Sequence, residues 1–367
     1  MSRQDDSTTP LSVALCVEGE ALARLGPVLS HLVVGLVEQA VSLRLVSSDP
    51  KAQRLKLGPV QTLIHPKIAW PFTEQRIDFV LSELQGSTPT VTHAIAHESY
   101  RKAWAVADAF DTDLVITVTS IRDIEHLADY EIGRPQRFVA LSEPLGALLR
   151  DPLKIPQDRV VCVRPGVNAK GRVSCFQKEG RSATVMCTAP LEKQTGVDLL
   201  IEAVYQLKRE ERDLMLFLLG RGRRESWLRK LVLDRGLASS VTFANPQGDI
   251  ADVMEGADLF VHLPEEAALT IDGLRSMGAG MAVVAFEDAV CDHFHHERTA
   301  LVCRERTADA LAKAMRRLID DHAMAKALAN RSIEYVQSHH SMSGMAEATA
   351  TIYRQLALNR ATFSLKE

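Results

Sequence analysis

The chain has 367 residues, 46% of them apolar and 25% charged, with a formal net charge of −4. These are ordinary globular values, in a chain long enough for two cores. With an isoelectric point near 6.3 it lacks the basic field that grips nucleic acid or an acidic membrane, and no apolar run comes near the roughly 20 residues needed to span a bilayer. Residues 1–10 are polar, without a signal peptide's apolar core, and read as a disordered lead-in. Cys16, Cys162, Cys175, Cys187, Cys291 and Cys303 form no C-x-x-C pair, and four of them sit inside apolar strand-like runs. Free thiols of a cytoplasmic protein are the simplest reading.

In chain order, the first half gives strands at Leu11–Val17, Ser42–Ser47, Thr90–Ala96, Leu114–Thr119, Arg137–Leu141 and Arg159–Val163, with helical stretches between them such as Leu29–Gln39 and Arg101–Phe110. The last strand runs into Arg164-Pro165-Gly166-Val167-Asn168, the best linker candidate. The second half repeats the pattern, with strands at Ala183–Thr188, Leu214–Leu219, Val241–Ala244, Leu259–Leu263, Ala282–Phe286 and Ala300–Cys303. Its clearest helix is Val197–Lys208, where Leu199, Leu200, Ala203, Val204 and Leu207 form one stripe. A terminal helix is expected at Ser343–Leu358. Strands apolar throughout belong to parallel sheets covered on both faces. The expected fold is therefore α/β, with two doubly wound, Rossmann-like domains and a working site in the cleft between them. The expected divisions are a domain at 11–165, a second at 166–342, and a terminal helix within 343–367 that packs back towards the first.

Ligands of such sheets bind beyond the carboxyl ends of the strands, so the loops there carry the candidates. After Thr188 comes Ala189-Pro190-Leu191-Glu192-Lys193-Gln194-Thr195-Gly196. Lys193 either reaches a phosphate beside a helix N-terminus or is a solvated lysine paired with Glu192. After Leu219 comes Gly220-Arg221-Gly222-Arg223-Arg224-Glu225, a dinucleotide fingerprint with Glu225 in the third glycine position. It is either an anion cradle or a tight turn with a basic helix start. That incomplete match, with no ribose-binding acid, counts against a nicotinamide-dependent oxidoreductase. After Leu263 come Pro264, Glu265 and Glu266, carboxylates for sugar hydroxyls or acids at a helix start. Cys291, His293, His295, His296 and Glu297 crowd one stretch, but their spacing matches no zinc signature, and a polar loop is the expectation.

Taken together, these segments resemble glycosyltransferase family 4 (group 1), retaining enzymes of the two-domain GT-B fold. The resemblance is carried by Phe138-Val139-Ala140-Leu141-Ser142, by Arg164-Pro165-Gly166-Val167-Asn168, and by Lys193 followed by Gly196-Val197-Asp198-Leu199-Leu200-Ile201-Glu202-Ala203. Gly220-Arg221-Gly222, Met277-Gly278-Ala279-Gly280-Met281-Ala282-Val283-Val284 and, before them, His93-Ala94 complete it. It covers roughly Arg137 to Leu356 and is thin before Thr90.

The resemblance implies transfer of a hexose, with retention, from a nucleotide-diphosphate sugar to a glycan or small acceptor, with no metal or other cofactor. The implied catalytic pair is Lys193 and Glu266. Gly220, Arg221, Gly222, Glu265, Thr270 and Arg275 would contact the donor, and His93 and Thr119 lie on the acceptor side. The partners implied are the nucleotide sugar and a glycan acceptor, not nucleic acid. No transmembrane segment is expected, and peripheral membrane association is left open. The chain departs from the family pattern in several places. Thr188 stands where the family has an arginine, and Arg275 where it has its second glutamate. Ala267, Ala268 and Leu269 replace a glycine-phenylalanine-glycine stretch, and Thr119 replaces a histidine. These departures motivate the alternative, a catalytically inactive homologue acting as a binding or scaffold subunit in polysaccharide assembly.

Overall fold

A computed structural model describes residues 11–55, 59–178, 180–245, 250–265 and 268–364. It divides into two compact units, one reaching to Gly166 and resuming at Met342, the other spanning Val167–Ser341. The first unit alternates β1 (Ser12–Val17), α1 (Gly19–Glu38), β2 (Ser42–Ser47), β3 (Gln61–Ile64), α2 (Thr73–Leu84), β4 (Val91–Ile95), α3 (Tyr100–Ala109), β5 (Asp113–Val118), α4 (Ile121–His126), β6 (Arg137–Ala140), α5 (Glu143–Arg150) and β7 (Val160–Cys162). The second has β8 (Ala183–Thr188), α6 (Val197–Arg209), β9 (Leu214–Leu219), α7 (Glu225–Asp234), β10 (Val241–Ala244), α8 (Ala251–Met254), β11 (Leu259–His262), α9 (Asp272–Gly278), β12 (Ala282–Phe286), β13 (Leu301–Cys303), α10 (Ala308–Asp320) and α11 (His322–His339). The last helix, α12 (Met342–Ser364), returns to the first unit and packs on α1.

Both sheets are parallel, as the continuous apolar runs require. The seven-stranded order is β3-β2-β1-β4-β5-β6-β7 and the six-stranded order β10-β9-β8-β11-β12-β13. In each sheet the winding reverses once, beside β1 and β4 in the first unit and beside β8 and β11 in the second. Loops at the carboxyl ends of those pairs diverge and leave a crevice. In β8, Val185, Met186 and Cys187 are fully buried, and Leu216 and Leu218 of β9 join the same core.

Every strand expected from sequence is present; β3 is additional. Its Gln61-Thr62-Leu63-Ile64 is a half-exposed edge with no continuous apolar run to announce it. Helix α1 begins ten residues before Leu29. Gly26-Pro27 reads as a breaker, and Pro27 does cost the helix one backbone bond. Burial of Leu22, Leu25, Val28 and Leu29 nonetheless carries the helix through. The resulting 20-residue helix is long and apolar enough to cross a bilayer by length and composition, which corrects the expectation that no segment comes near. Its apolar face is used within the unit, against α12 and β2.

One side-chain relay ties α12 to the sheet. His93 of β4 is buried, with Nδ1 2.5 Å from the Tyr353 hydroxyl and Nε2 2.6 Å from Thr117 Oγ1. Burial lowers its pKa to about 3, so the ring is neutral. Tyr353→Phe strips one partner from a buried nitrogen and should cost about 1–3 kcal/mol, read as a lower urea midpoint with an unchanged slope.

Candidate functional site

The loops of the second unit's crevice are built by backbone contact. A Cβ added to Gly220 would lie 2.1 Å from the Ala189 carbonyl oxygen, and one on Gly222 2.3 Å from that of Leu191. The loop after β9 therefore lies directly on the loop after β8, locked by Leu191 N–H to Arg221 O and Arg224 N–H to Leu191 O, both 2.9 Å. The two glycines serve this close approach between loops. Glu192 turns to this contact, accepting from the Arg223 amide at 3.0 Å. Its side chain is thus committed away from Lys193. Thr195 Oγ1 donates to the carbonyls of Pro190 and Glu192 at 2.9 Å each and closes the short turn Lys193–Thr195. Lys193 is left exposed and, among the described residues, makes no ion pair.

Gly196, at φ +81°, turns the chain into α6 without a side-chain cap, so the first-turn N–H groups and the positive end of a 13-residue helix sit beside Lys193. The three arginines of the next loop divide. Arg224 pairs with Asp198 at 3.7 Å and lies over the Trp227 ring, Arg223 is 3.9 Å from Glu192, and Arg221 is exposed.

Across the crevice, Glu265 is half-buried after β11 and its carbonyl accepts from Ala268 N–H at 2.7 Å. Glu266 and Ala267 lie outside the described residues. Arg275 of α9 is largely buried, 3.2 Å from Asp272. Burial above all raises the thiol pKa of Cys187, with Glu265 and Asp272 adding to the effect, so both carboxylates are felt at the end of β8. Thr270, just before α9, meets the Cys291 thiol through its backbone. Cys291 does not gather with His293, His295, His296 and Glu297 as one donor set; its near neighbours are His262 and Asp288.

The two acceptor-side candidates lie in the first unit and are not presented at its surface. His93 is the interior relay described above. Thr119 is buried after β5, with its amide and hydroxyl donating to Asp123 Oδ2 at 2.7 and 2.8 Å. The groups at the strand ends are others. His97, after β4, is half-buried and 2.7 Å from Asp123 Oδ1 through Nδ1. Burial opposes the charge of Asp123, but hydrogen bonds from His97 and Thr119 outweigh it and hold the carboxyl below its ordinary value.

Glu18 follows β1 and takes the ammonium of the buried Lys102, the Ser48 hydroxyl at 2.5 Å and the Ser48 amide at 3.0 Å. Lys102 Nζ also lies 3.0 Å from His65 Nε2. Glu18, Ser48 and Lys102 wall a cavity of about 480 Å³ with Asp49, Lys67 and Arg101. Sequence reasoning passed over Glu18 and Lys102 because 84 residues separate them; a carboxylate directly after a buried strand was the available signal.

Residues 182–321 match the family model of the glycosyl transferases, group 1. Over that stretch the second unit is similar to a group 1 glycosyltransferase domain. A relative from Mycobacterium tuberculosis, a GDP-mannose-dependent alpha-(1-6)-phosphatidylinositol monomannoside mannosyltransferase, is 27% identical over 231 residues, 59% of this chain and 58% of the relative. The match thus spans little more than half of that protein's length. The lipopolysaccharide core biosynthesis mannosyltransferase LpcC of Rhizobium leguminosarum is 24% identical over 66% of this chain and 72% of its own. Among solved structures, a glycosyltransferase from Rickettsia africae superposes with a TM-score of 0.77 at 13% identity, over 95% of this chain and 99% of that one. Anabaena HepE in complex with UDP-glucose superposes at 0.77 and 12%, over 96% and 99%. The fold is that of the GT-B glycosyltransferases.

The contacts of Glu18 predict stability. Glu18→Gln leaves the Lys102 ammonium buried without its counter-charge and should cost about 3–5 kcal/mol. Burial raises the Glu18 pKa, but His65, Lys102 and Ser48 together overcome that and bring it from 4.5 to about 2. A depressed carboxyl stabilises the fold fully above its unfolded value and loses that contribution as pH falls through the folded one. The wild type should therefore lose stability from about pH 4.5 towards pH 2, and Glu18→Gln should flatten that part of the profile, measured by urea melts across pH.

Proposed function

We propose that this chain is a retaining glycosyltransferase of the family 4 type, moving a hexose from a nucleotide-diphosphate sugar to a glycan or small acceptor. GDP-mannose is the first donor to test, since the mannosyltransferase from Mycobacterium tuberculosis is named for it. The observation that carries the reading is the uncommitted Lys193 beside the uncapped N-terminus of α6, at the point where the winding of the sheet reverses.

When the bond between the sugar's anomeric carbon and the phosphate oxygen breaks, its electron pair stays on the departing diphosphate and adds one negative charge to those already there. Lys193 and the first-turn amides of α6 are fixed positive groups for that charge. The acceptor oxygen then bonds to the anomeric carbon on the same face, and its proton passes to a phosphate oxygen. Glu265 and Glu266 hold the sugar hydroxyls, and no metal is needed for the leaving group. The six free cysteines suit a reducing cytoplasm. The acceptor is assigned to the first unit's cavity at Glu18 and Arg101.

A second reading is favoured by Thr188 and Arg275. The position that the resemblance gives to an arginine ends β8 as a neutral threonine, and Arg275 is occupied by Asp272. On that reading the chain is a binding or scaffold subunit of polysaccharide assembly that retains the fold and has lost turnover.

Calorimetry with GDP and UDP, followed by GDP-mannose transfer and hydrolysis assays, separates the two. Nucleotide binding with turnover is expected, and Lys193→Ala should lower kcat/KM by ~10²–10³-fold while leaving the melting temperature unchanged, because Lys193 is exposed. Binding without transfer or hydrolysis would favour the silent subunit. Failure to bind either nucleotide at millimolar concentration sinks the transferase reading.

A further inference from the structure

A second centre lies at the carboxyl ends of β11 and β12, formed by residues the transfer reaction does not use. His262 is the last residue of β11, and Asp288 and Cys291 follow β12. These strands are parallel neighbours with His262 opposite Ala285, so the sheet register itself brings the imidazole to the start of the loop that carries the other two. Asp288 Oδ1 accepts from the amides of Val290 and Cys291 at 2.9 and 3.2 Å. This turns the loop back and aims the thiol at the carboxylate. Asp288 Oδ2 meets His262 Nε2 at 3.0 Å. One donor atom from each of the three residues lies within 4.8 Å of the other two.

We propose that His262, Asp288 and Cys291 bind a divalent transition metal, Zn²⁺ by preference. One sulfur, one imidazole nitrogen and one carboxylate oxygen form a borderline-soft set that suits zinc and excludes magnesium or calcium. Tetrahedral zinc at ordinary bond lengths sets its donors roughly 3.4–3.7 Å apart, so the His262–Asp288 pair, now 3.0 Å apart, would open slightly to admit the ion, while all donors already lie within 4.8 Å of one another. The side chains of His262 and Asp288 are 4% and 3% exposed, so the ion would be bound in a protected place, with water at the fourth position. Binding displaces the thiol proton to solvent and leaves a thiolate on the metal; no electron is transferred. The ion would staple the end of β11 to the loop after β12. The spacing of Cys291, His293, His295 and His296 gave no hint of it, because two of the three ligands, His262 and Asp288, come from outside that run.

The probe is Co²⁺ added to chelator-treated full-length chain, followed by absorbance. The expected result is one equivalent bound, with a thiolate-to-cobalt charge-transfer band in the near ultraviolet and visible bands of tetrahedral intensity. Added Zn²⁺ should bleach them and raise the melting temperature. Cys291→Ser should abolish the ultraviolet band, and Asp288→Asn and His262→Gln should each weaken binding at least tenfold. Cys162→Ser, in β7 of the first unit, should leave every band intact. If a ligand variant does not fold, the wild-type spectrum still decides. Absence of the thiolate band, or its survival in folded Cys291→Ser, overturns the proposal. In that case the three groups are only a hydrogen-bonded trio.

Discussion

The second unit's crevice depends on one contact between backbones, where Gly220 and Gly222 lie against Ala189 and Leu191. Any side chain at either glycine would drive the two loops apart, because the atoms in the way are carbonyl groups of a packed turn. With the loops pressed together, Leu191 is bonded on both sides, Glu192 is drawn to Arg223, and Thr195 closes the turn that presents Lys193. The charge that the proposed reaction needs is thus placed largely by backbone contacts and the Thr195 hydroxyl. The positive end of α6 is fixed by the same turn, since Gly196 both ends it and starts the helix.

The two units handle charge differently. In the first, Lys102 is buried and its ammonium is consumed by Glu18, with His65 alongside. That arrangement orders the ends of β1, β2 and α3, and its energy is largely the cost of leaving either partner alone. In the second, Lys193 is exposed and uncommitted, so it contributes little to folding and is available to an anionic ligand. Arg275 is intermediate, on a helix beside the crevice yet already paired with Asp272. The contrast gives the buried pair of the first unit a part in stability and leaves Lys193 of the second unit free of one.

Much of the fold was legible because parallel strands are buried on both faces and announce themselves as apolar runs, as in Leu214–Leu219 and Ala282–Phe286. What was not legible depended on context. The edge strand Gln61–Ile64 has no such run, and α1 overrides Pro27 through tertiary burial. For the site, Lys193 and the two glycines were readable from their place after strands, although the glycines' close packing on the neighbouring loop was not. His93 was misread because a polar residue in a strand looks like a presented one until Tyr353, 260 positions away, is found against it. The pairs Glu18–Lys102 and His97–Asp123 and the trio at Cys291 are all assembled by the packing of separate strands, loops and helices, which no local window contains.

The most direct measurement is a crystal structure of the chain soaked with GDP. The account predicts the diphosphate within hydrogen-bonding reach of Lys193 Nζ and the first amides of α6, with the nucleotide lying between the loops after β8 and β11. A nucleotide bound instead in the cavity at the amino ends of the same strands, among Lys170, Arg172 and Arg181, or no nucleotide at saturating concentration, would contradict it.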